Sequence, residues 1–496
     1  MLSLNIPYYV KVGVIASLIA MLFGFDTGMI GPVTTMPAFS SSFGTFSATV
    51  HGVIVSSVLI PGAITSLAAG PLAQSFGHVR IIAIGSFISG VGFAIECGTP
   101  SLGGFIFGRL IKGVGIGLFL SNVWVQISET SPYHTRGIMN ALPLAFVGFG
   151  IVLGFFTCYG TARLQSPAAW RIPPALGCGL GVLLSASYWV LPPSPRWLLS
   201  KGRLQEARLI AIKLGLDEKE QEGMFSQFEN TTAQVETSNS FFLQVVHHTQ
   251  QEFKQAFQAP FRGRTLFGCF LMALQQLSGI DGVLYYAPTL FAQAGLRGES
   301  ASFLASGCSA LVILIVSIPA AIFADHWGRR TASILGGVLI SILMILMGSL
   351  YAAKSVHEDS GPGRWIVIVS IYLFAGVYNA TWAVCLRSSL VESLPKETRS
   401  SASSLAQSCN WISNYVVALV TPILLSKSSY GAYFLYAAFT LSGTIVIALY
   451  MTETKGHSLE DIEKRYDESR QDLEAIVVTD KGGRGMGANV GMEVVT

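Results

Sequence analysis

Charge is what this sequence has least of. Asp, Glu, Lys and Arg together make up 12% of its 496 residues, against about 25% in ordinary soluble domains, and the mean hydropathy is +0.54. The length would hold several soluble domains, but the apolar runs leave little room for them. A net charge of +3 gives no reason to invoke nucleic acid. Redox and metal chemistry are equally thin. The seven cysteines (Cys97, Cys158, Cys178, Cys269, Cys308, Cys385 and Cys409) stand singly, mostly inside apolar runs, with neither a disulfide framework nor a metal spacing. The eight histidines include His51 and the pair His247-His248, yet no span carries paired metal-ligand spacing, and no nucleophile–base pair is visible. No catalytic residue and no metal ligand is therefore assigned. No cleavable signal peptide is evident either, because the first apolar run continues well past an h-region and contains Asp26.

What the sequence has is long apolar runs. Hydropathy predicts twelve spans, near 9–31, 52–72, 80–98, 104–127, 138–160 and 172–191, then near 265–287, 302–324, 331–353, 364–390, 402–425 and 430–451. The expected organisation is a six-helix bundle over 1–193, a polar linker with short amphipathic helices over 194–263, a second six-helix bundle over 264–452, and a tail over 453–496 whose Gly-rich end is expected to be disordered. With both termini inside, 22 of the 31 Lys and Arg residues fall in inner segments, six in outer ones, and Arg109, Lys112 and Arg387 within spans. That asymmetry places both termini in the cytoplasm, and makes the sequon at Asn230 cytoplasmic and free of glycan. The chain also repeats itself. Gln74-Ser75-Phe76-Gly77-His78-Val79-Arg80 after the second span corresponds to Asp325-His326-Trp327-Gly328-Arg329-Arg330 after the eighth. Glu129-x-x-Pro132-x-x-x-Arg136 corresponds to Glu392-x-x-Pro395-x-x-x-Arg399. The offsets of 251 and 263 residues argue for a duplicated six-helix unit, the architecture of carriers with a site between their halves.

The most polar stretch inside a span is Gln275–Phe291. Lipid satisfies neither its amides nor Asp281, so these groups must face protein, water or a ligand. On a continuous helical wheel Gln275, Ser278, Asp281, Gly282, Tyr285 and Tyr286 share one half, with Leu277, Ile280, Val283 and Leu284 opposite and Gln276 as the exception. Gly279, Gly282 and Pro288 would let the helix bend, or would serve close packing. Tyr285 and Tyr286 would cap a site from outside or sit at the interface.

These features closely resemble the sugar porter family of the major facilitator superfamily, fungal members above all. The marks are Gly24-Phe25-Asp26-Thr27-Gly28, Gly108-Arg109, Ala169-Trp170-Arg171-Ile172-Pro173, Ser194-Pro195-Arg196-Trp197-Leu198, Gln275-Gln276-Leu277-Ser278-Gly279, Tyr285-Tyr286-Ala287-Pro288, Asn410-Trp411 and Glu453-Thr454-Lys455-Gly456. The resemblance runs from about Phe23 to Tyr466. It implies an all-α membrane protein with the major facilitator fold, twelve transmembrane helices in two pseudo-symmetric six-helix bundles. It implies a carrier that moves a sugar or sugar-like polyol by alternating access, expected as a monomer in the plasma membrane, with no cofactor and a proton as coupling ion. An uncoupled uniporter is the alternative. A non-transporting sensor of the same fold is a rival, although such sensors usually carry tails longer than the roughly 44 residues here; a membrane enzyme is the weakest.

By the same resemblance Gln275, Gln276, Trp411 and Asn414 would contact substrate, since amides pair with hydroxyls and an indole covers the C–H edges of a pyranose. The bland alternative is that they hold helices together. Three positions depart from the family pattern: Asp281 stands for an asparagine, Leu144 for a glutamine and Arg387 for a tryptophan. A sugar acid or quinate-like anion could engage Arg387 through a bidentate contact; otherwise Arg387 snorkels or pairs with a carboxylate. Asp26 would take up the coupling proton with Arg109 as partner, and Lys112, one turn on, would replace Arg109 or snorkel. Glu129, Arg136, Arg196, Asp325, Arg329, Arg330, Glu392, Arg399 and Glu453 would form a cytoplasmic gate that only a network could hold. Gln74 and His78-Val79 stand where the first copy would carry an acid and a basic pair, so its half of the latch is expected to be the weaker and the carrier biased inward.

Overall fold

In the computed structural model the described residues are 6–218, 220–225, 251, 253–296, 299–323, 328–357, 361–394, 398–453 and 455. All regular structure among them is helical. Twelve helices are long and apolar enough to cross a membrane: α1 Tyr8–Thr35, α2 Ala48–Phe76, α3 His78–Gly98, α4 Leu102–Thr130, α5 Tyr133–Thr161, α6 Ala168–Trp189, α7 Phe261–Tyr285, α8 Ala301–Ala320, α9 Arg329–Ala352, α10 Pro362–Leu390, α11 Ser401–Lys427 and α12 Gly431–Tyr450. Twelve spans at the expected places follow from the runs themselves, because a helix is the way an isolated segment satisfies its own backbone in lipid. Two short helices of the linker, Pro195–Ser200 and Leu204–Leu214, bury Leu198, Leu199 and Ala207 and expose their polar faces, as the amphipathic pattern predicts. Asn230 lies outside the described residues.

Small residues bring the helices of the first half together. A Cβ on Gly92 of α3 would lie 2.6 Å from the Lys112 backbone nitrogen, and one on Gly108 of α4 would lie 2.9 Å from the backbone nitrogen of Glu96. The α3 and α4 backbones therefore approach as closely as glycine allows, which becomes important for the charges they carry.

The seventh span is not one helix. It runs as Ala259–Leu277, Ile280–Tyr285 and Ala287–Gln293, broken at Gly279, whose φ of +86° is the left-handed region. A Cβ there would also meet the Tyr436 ring at 2.5 Å. The break changes which side chains face inward. Ile280 and Leu284, which a continuous wheel puts on the apolar half, line the central cavity with Asp281 and Gln276. Tyr286 instead donates its hydroxyl to the Ala418 carbonyl at 2.6 Å. The tenth span is likewise interrupted at Thr381, between Pro362–Ala380 and Trp382–Ser393.

The two halves touch most closely away from the termini. Gly31, near the far end of α1, presses on the carbonyl of Tyr285, and Gly52, near the start of α2, presses on that of Leu419; a Cβ would stand 2.1 Å and 2.4 Å from those oxygens. His51 completes the seal, with Nε2 2.9 Å from Thr34 Oγ1 and its ring edge-on to Tyr286 at 5.2 Å. The face opposite the termini is thus closed. Overpacking of this kind costs about 1–3 kcal/mol, so Gly31→Ala is expected to shift the closed-to-open ratio of that face by roughly fivefold or more. A membrane-impermeant maleimide should label a cysteine placed at Leu284 from the far side faster in Gly31→Ala than in its Gly31 parent, measured over the native-cysteine background. Equal rates would contradict this closure.

Candidate functional site

Four charged residues meet inside the first half. Asp26 of α1, Glu96 of α3, and Arg109 and Lys112 of α4 are each 2% exposed or less. Lys112 Nζ stands 2.5 Å from Asp26 Oδ1 and 2.5 Å from Glu96 Oε1, and lies 4.2 Å from the centre of the Phe93 ring. Arg109 is the looser partner: its Nη1 is 3.4 Å from Asp26 Oδ1, while its Nη2 donates to the Val55 carbonyl at 2.8 Å. Lys112 therefore does not snorkel, and it, more than Arg109, is the counter-ion of Asp26. Two acids and two bases leave the cluster electrically balanced. Balance is needed, because a buried ion pair that loses one partner forfeits about 3–5 kcal/mol. Glu96 is a member that family motifs did not point to. The signal for it is the one that picks out Asp26, an acid inside an apolar run.

Between the halves lies a cavity of about 130 Å³, lined among others by Leu144, Gln275, Gln276, Asp281, Tyr378 and Arg387. Its polar wall is organised by Asn410. That amide donates to the Met272 carbonyl at 2.9 Å and to Gln275 Oε1 at 3.3 Å, and accepts from Gln276 Nε2 at 3.3 Å. Gln275 Nε2 donates in turn to the Trp382 carbonyl at 3.0 Å. Gln275 is thus held at both ends, whereas Gln276 Oε1 is buried and accepts nothing from the described residues. Asp281 accepts from Asn414 Nδ2. Asn414 stands behind Asp281 and is not among the lining residues. Trp411 is wedged between Phe23, at 5.7 Å between ring centres, and Gly62, outside the lining as well. Arg387 does line the cavity; among the described residues it has no carboxylate partner, and its guanidinium lies 5.8 Å from the Trp124 ring centre of the first half.

The charges at the face that carries the termini form clusters within each half. In the second half Arg329 Nη2 pairs with Glu392 Oε1 at 3.2 Å, and Arg330 Nη2 donates to the Ala448 carbonyl at 2.6 Å. Glu453 accepts from the backbone N–H groups of Arg329 at 2.7 Å and Arg330 at 3.1 Å, and so caps the start of α9 from across the chain. In the first half Glu129 accepts from Ser194 Oγ at 2.5 Å and stands 3.7 Å from His78 Nε2. His78 Nδ1 meets Asn122 Oδ1 at 2.9 Å, so the ring faces both. Arg136 pairs with Glu220 of the linker at 3.4 Å, and the exposed Arg196 lines with them and Glu129 a cavity of about 250 Å³ at this face. Asp325 lies outside the described residues, as does the side chain of Arg399. Every ion pair at this face among the described residues stays within one half or joins it to the linker.

A twelve-helix bundle closed on one face, with a polar cavity between its halves and a neutralised charge cluster beside it, defines a membrane carrier. The model of the sugar (and other) transporter family matches residues 12–466, and the chain belongs to that family: it is a multi-pass membrane transporter and not an enzyme. The glucose transporter GlcP of Staphylococcus epidermidis is 28% identical over 452 residues, 91% of this chain and 95% of that protein. The high-affinity fructose transporter ght6 of Schizosaccharomyces pombe is 28% identical over 470 residues, 91% and 86% of the two chains. In fold, the chain matches the inward-open xylose transporter XylE from E. coli with a TM-score of 0.73 at 23% identity, over 92% of this chain and 99% of that one. The proton:xylose symporter XylE bound to 6-bromo-6-deoxy-D-glucose gives 0.74 at 24%, with the same coverage.

The Glu453 cap lies outside the spans and titrates. Burial works against its charge, but the backbone N–H groups of Lys455, Arg329, Thr331 and Arg330 outweigh that and hold its carboxyl below the ordinary 4.5. A lowered value means that the stabilisation is present above pH 4.5 and disappears as pH falls through the folded value. Glu453→Gln is expected to cost on the order of 1 kcal/mol at neutral pH and little at the acid end, read as thermal melting of the purified protein against pH. An undiminished melting temperature at neutral pH would remove the cap from the account.

Proposed function

We propose that this protein is a proton-coupled sugar symporter of the plasma membrane, working by alternating access with both termini in the cytoplasm. The observation that carries the reading is Asp26, a buried carboxylate paired with cations in the wall beside a hydroxyl-compatible cavity. Protonating it weakens its hold on Lys112 and Arg109 and allows the halves to swing; losing the proton restores the pairs. With the termini in the cytoplasm the closed far face is the outer one, and this conformation faces inward. The clusters of Glu129, Arg136, Arg196, Arg329, Arg330, Glu392, Arg399, Asp325 and Glu453 would then form the gate that joins when the site turns outward. The curated relatives, named for glucose and fructose transport, support a hexose as the neutral ligand. Gln275, Gln276 and Asp281 would contact it, with Asn414 and Trp411 backing that wall.

Uptake into proteoliposomes, with a panel of hexoses, pentoses, polyols and sugar acids, tests this. At one proton per sugar an inward gradient of one pH unit, about 1.4 kcal/mol, sustains roughly tenfold accumulation. Asp26→Asn should abolish that accumulation and retain exchange at equal pH. Undiminished accumulation in the variant would sink symport and leave the uniporter.

A second reading rests on Arg387, a guanidinium on the cavity wall with no carboxylate partner among the described residues. It favours a sugar acid bound through two parallel N–H···O contacts. In that case Arg387→Gln should weaken competition by a hexuronate at least about tenfold, the loss of roughly 1.5–3 kcal/mol of a charged hydrogen bond, and change competition by the matching hexose much less. Equal losses for both would dismiss the anion.

A further inference from the structure

Glu96 is used neither by the cavity nor by the Asp26 pairing on which symport depends. It is nevertheless fully buried in α3, at a point where the α3 and α4 backbones meet through Gly92 and Gly108. Its Oε1 stands 2.5 Å from Lys112 Nζ as an ion pair, and neither of its oxygens accepts a hydrogen bond of good geometry from the described residues. The ammonium of Lys112 therefore bridges two carboxylates from two helices. Arg109 is not placed to do this, since one of its nitrogens is committed to Val55 and another reaches Asp26 only at 3.4 Å.

Consider the charges when Asp26 is neutral. Without Glu96, both Lys112 and Arg109 would be left inside the membrane with no carboxylate, which is expensive. With Glu96, one carboxylate remains in contact with Lys112. We propose that Glu96 is a positioning residue for proton uptake: it keeps Lys112 charged and in place while Asp26 is protonated, so that the coupling carboxyl can be neutralised without stranding a buried cation. The proposal rests on the symport reading for its biological use. The step itself is a single proton transfer. Hydronium from the water on one side gives its proton to the Asp26 carboxylate, forming the neutral acid and water; Lys112 remains an ammonium and keeps its Glu96 contact. On the other side the acid returns the proton to water and Lys112 again bridges both groups.

The charged groups facing the pair come from each neighbouring helix: Asp26 from α1, and Arg109 and Lys112 from α4. The Tyr285 phenol of α7 is within electrostatic range of Asp26. Arg171 of α6 is turned away, donating to the Thr99 carbonyl at 3.2 Å and stacking over Trp170. His51 of α2 is engaged with Thr34 and Tyr286.

Infrared pH-difference spectroscopy of the reconstituted full chain reads this without knowing the sugar. The Asp26 band is the protonated-carboxyl signal that disappears in Asp26→Asn. In Glu96→Gln a negative neighbour is lost while both cations remain, so the midpoint of that band should move to lower pH by about one unit or more; Glu96→Asp should restore it. The pair Glu96→Gln with Lys112→Gln removes both charges together, and its midpoint should lie above that of Glu96→Gln and above wild type. That comparison stands if the single variant fails to fold. A Glu96→Gln midpoint equal to wild type, or a double variant at or below wild type, overturns the proposal. A wild-type spectrum with no Asp26 band overturns both it and the symport reading. Uptake in the same liposomes separates the two: wild-type accumulation indifferent to a pH gradient defeats symport alone, whatever the infrared midpoints show.

Discussion

The constraint on which the rest depends is electrical. Asp26 cannot lie charged and alone within a span, and neither can Arg109 or Lys112. The structure meets this by drawing all three, with Glu96, into one balanced cluster. Replacing such a cluster with apolar side chains of similar volume would often be neutral or stabilising, so stability alone is a poor reason for its presence. Function is the better one. In the symport reading, a carboxylate whose charge can be removed at modest cost would serve as a proton switch, and the second acid and second base would keep that cost modest.

Much of the packing can be understood as serving that cluster. Lys112 reaches Asp26 and Glu96 together only because α3 and α4 lie glycine against glycine, and a side chain at Gly92 or Gly108 would force Glu96 away from Lys112. The second half solves a different problem. Its wall must present unpaired polar atoms to a cavity without collapsing, so Asn410 fixes Gln275 from one side and Trp382 fixes it from the other. Gln276 and Asp281 then line the cavity beside that fixed amide. Of the two roles that sequence alone left open for the glutamines, holding helices is visible for Gln275, which is bonded at both ends while still lining the cavity.

The fold was legible because its signals are coarse and repeated. Twelve apolar runs, a basic bias between them and two echoes half a chain apart need no knowledge of packing. Asp26 and Arg109 were legible for the same reason that makes them costly. What one dimension hides is geometry. The wheel over Gln275–Phe291 assumed one helix, and the left-handed turn at Gly279 rotates everything beyond it, bringing Ile280 and Leu284 to the cavity and sending Tyr286 to Ala418. Glu96 was as visible as Asp26, but nothing in the order of residues says that α3 packs on α4 in the register that lets one ammonium serve both. Trp411 shows the opposite limit, since a motif locates a residue on a helix and not the direction of its ring.

The two halves also divide the labour unequally, which bears on coupling. The charge cluster is in the first half and the polar wall is chiefly in the second, so in the symport reading the charge on Asp26 would have to be felt across the boundary between them. The distance is short. Gly31 lies five residues beyond Asp26 on the same helix, about 7.5 Å along its axis, and it presses on the carbonyl of Tyr285, four residues beyond Asp281 on the broken α7. The helix that carries Asp26 is therefore seated directly on the segment that carries Asp281 and the cavity wall. Any change in how Lys112 and Arg109 pull on α1 reaches α7 directly, where Gly31 meets the Tyr285 carbonyl and Pro288. No chain of intermediaries is required, and the break at Gly279 separates that segment from the rest of its span.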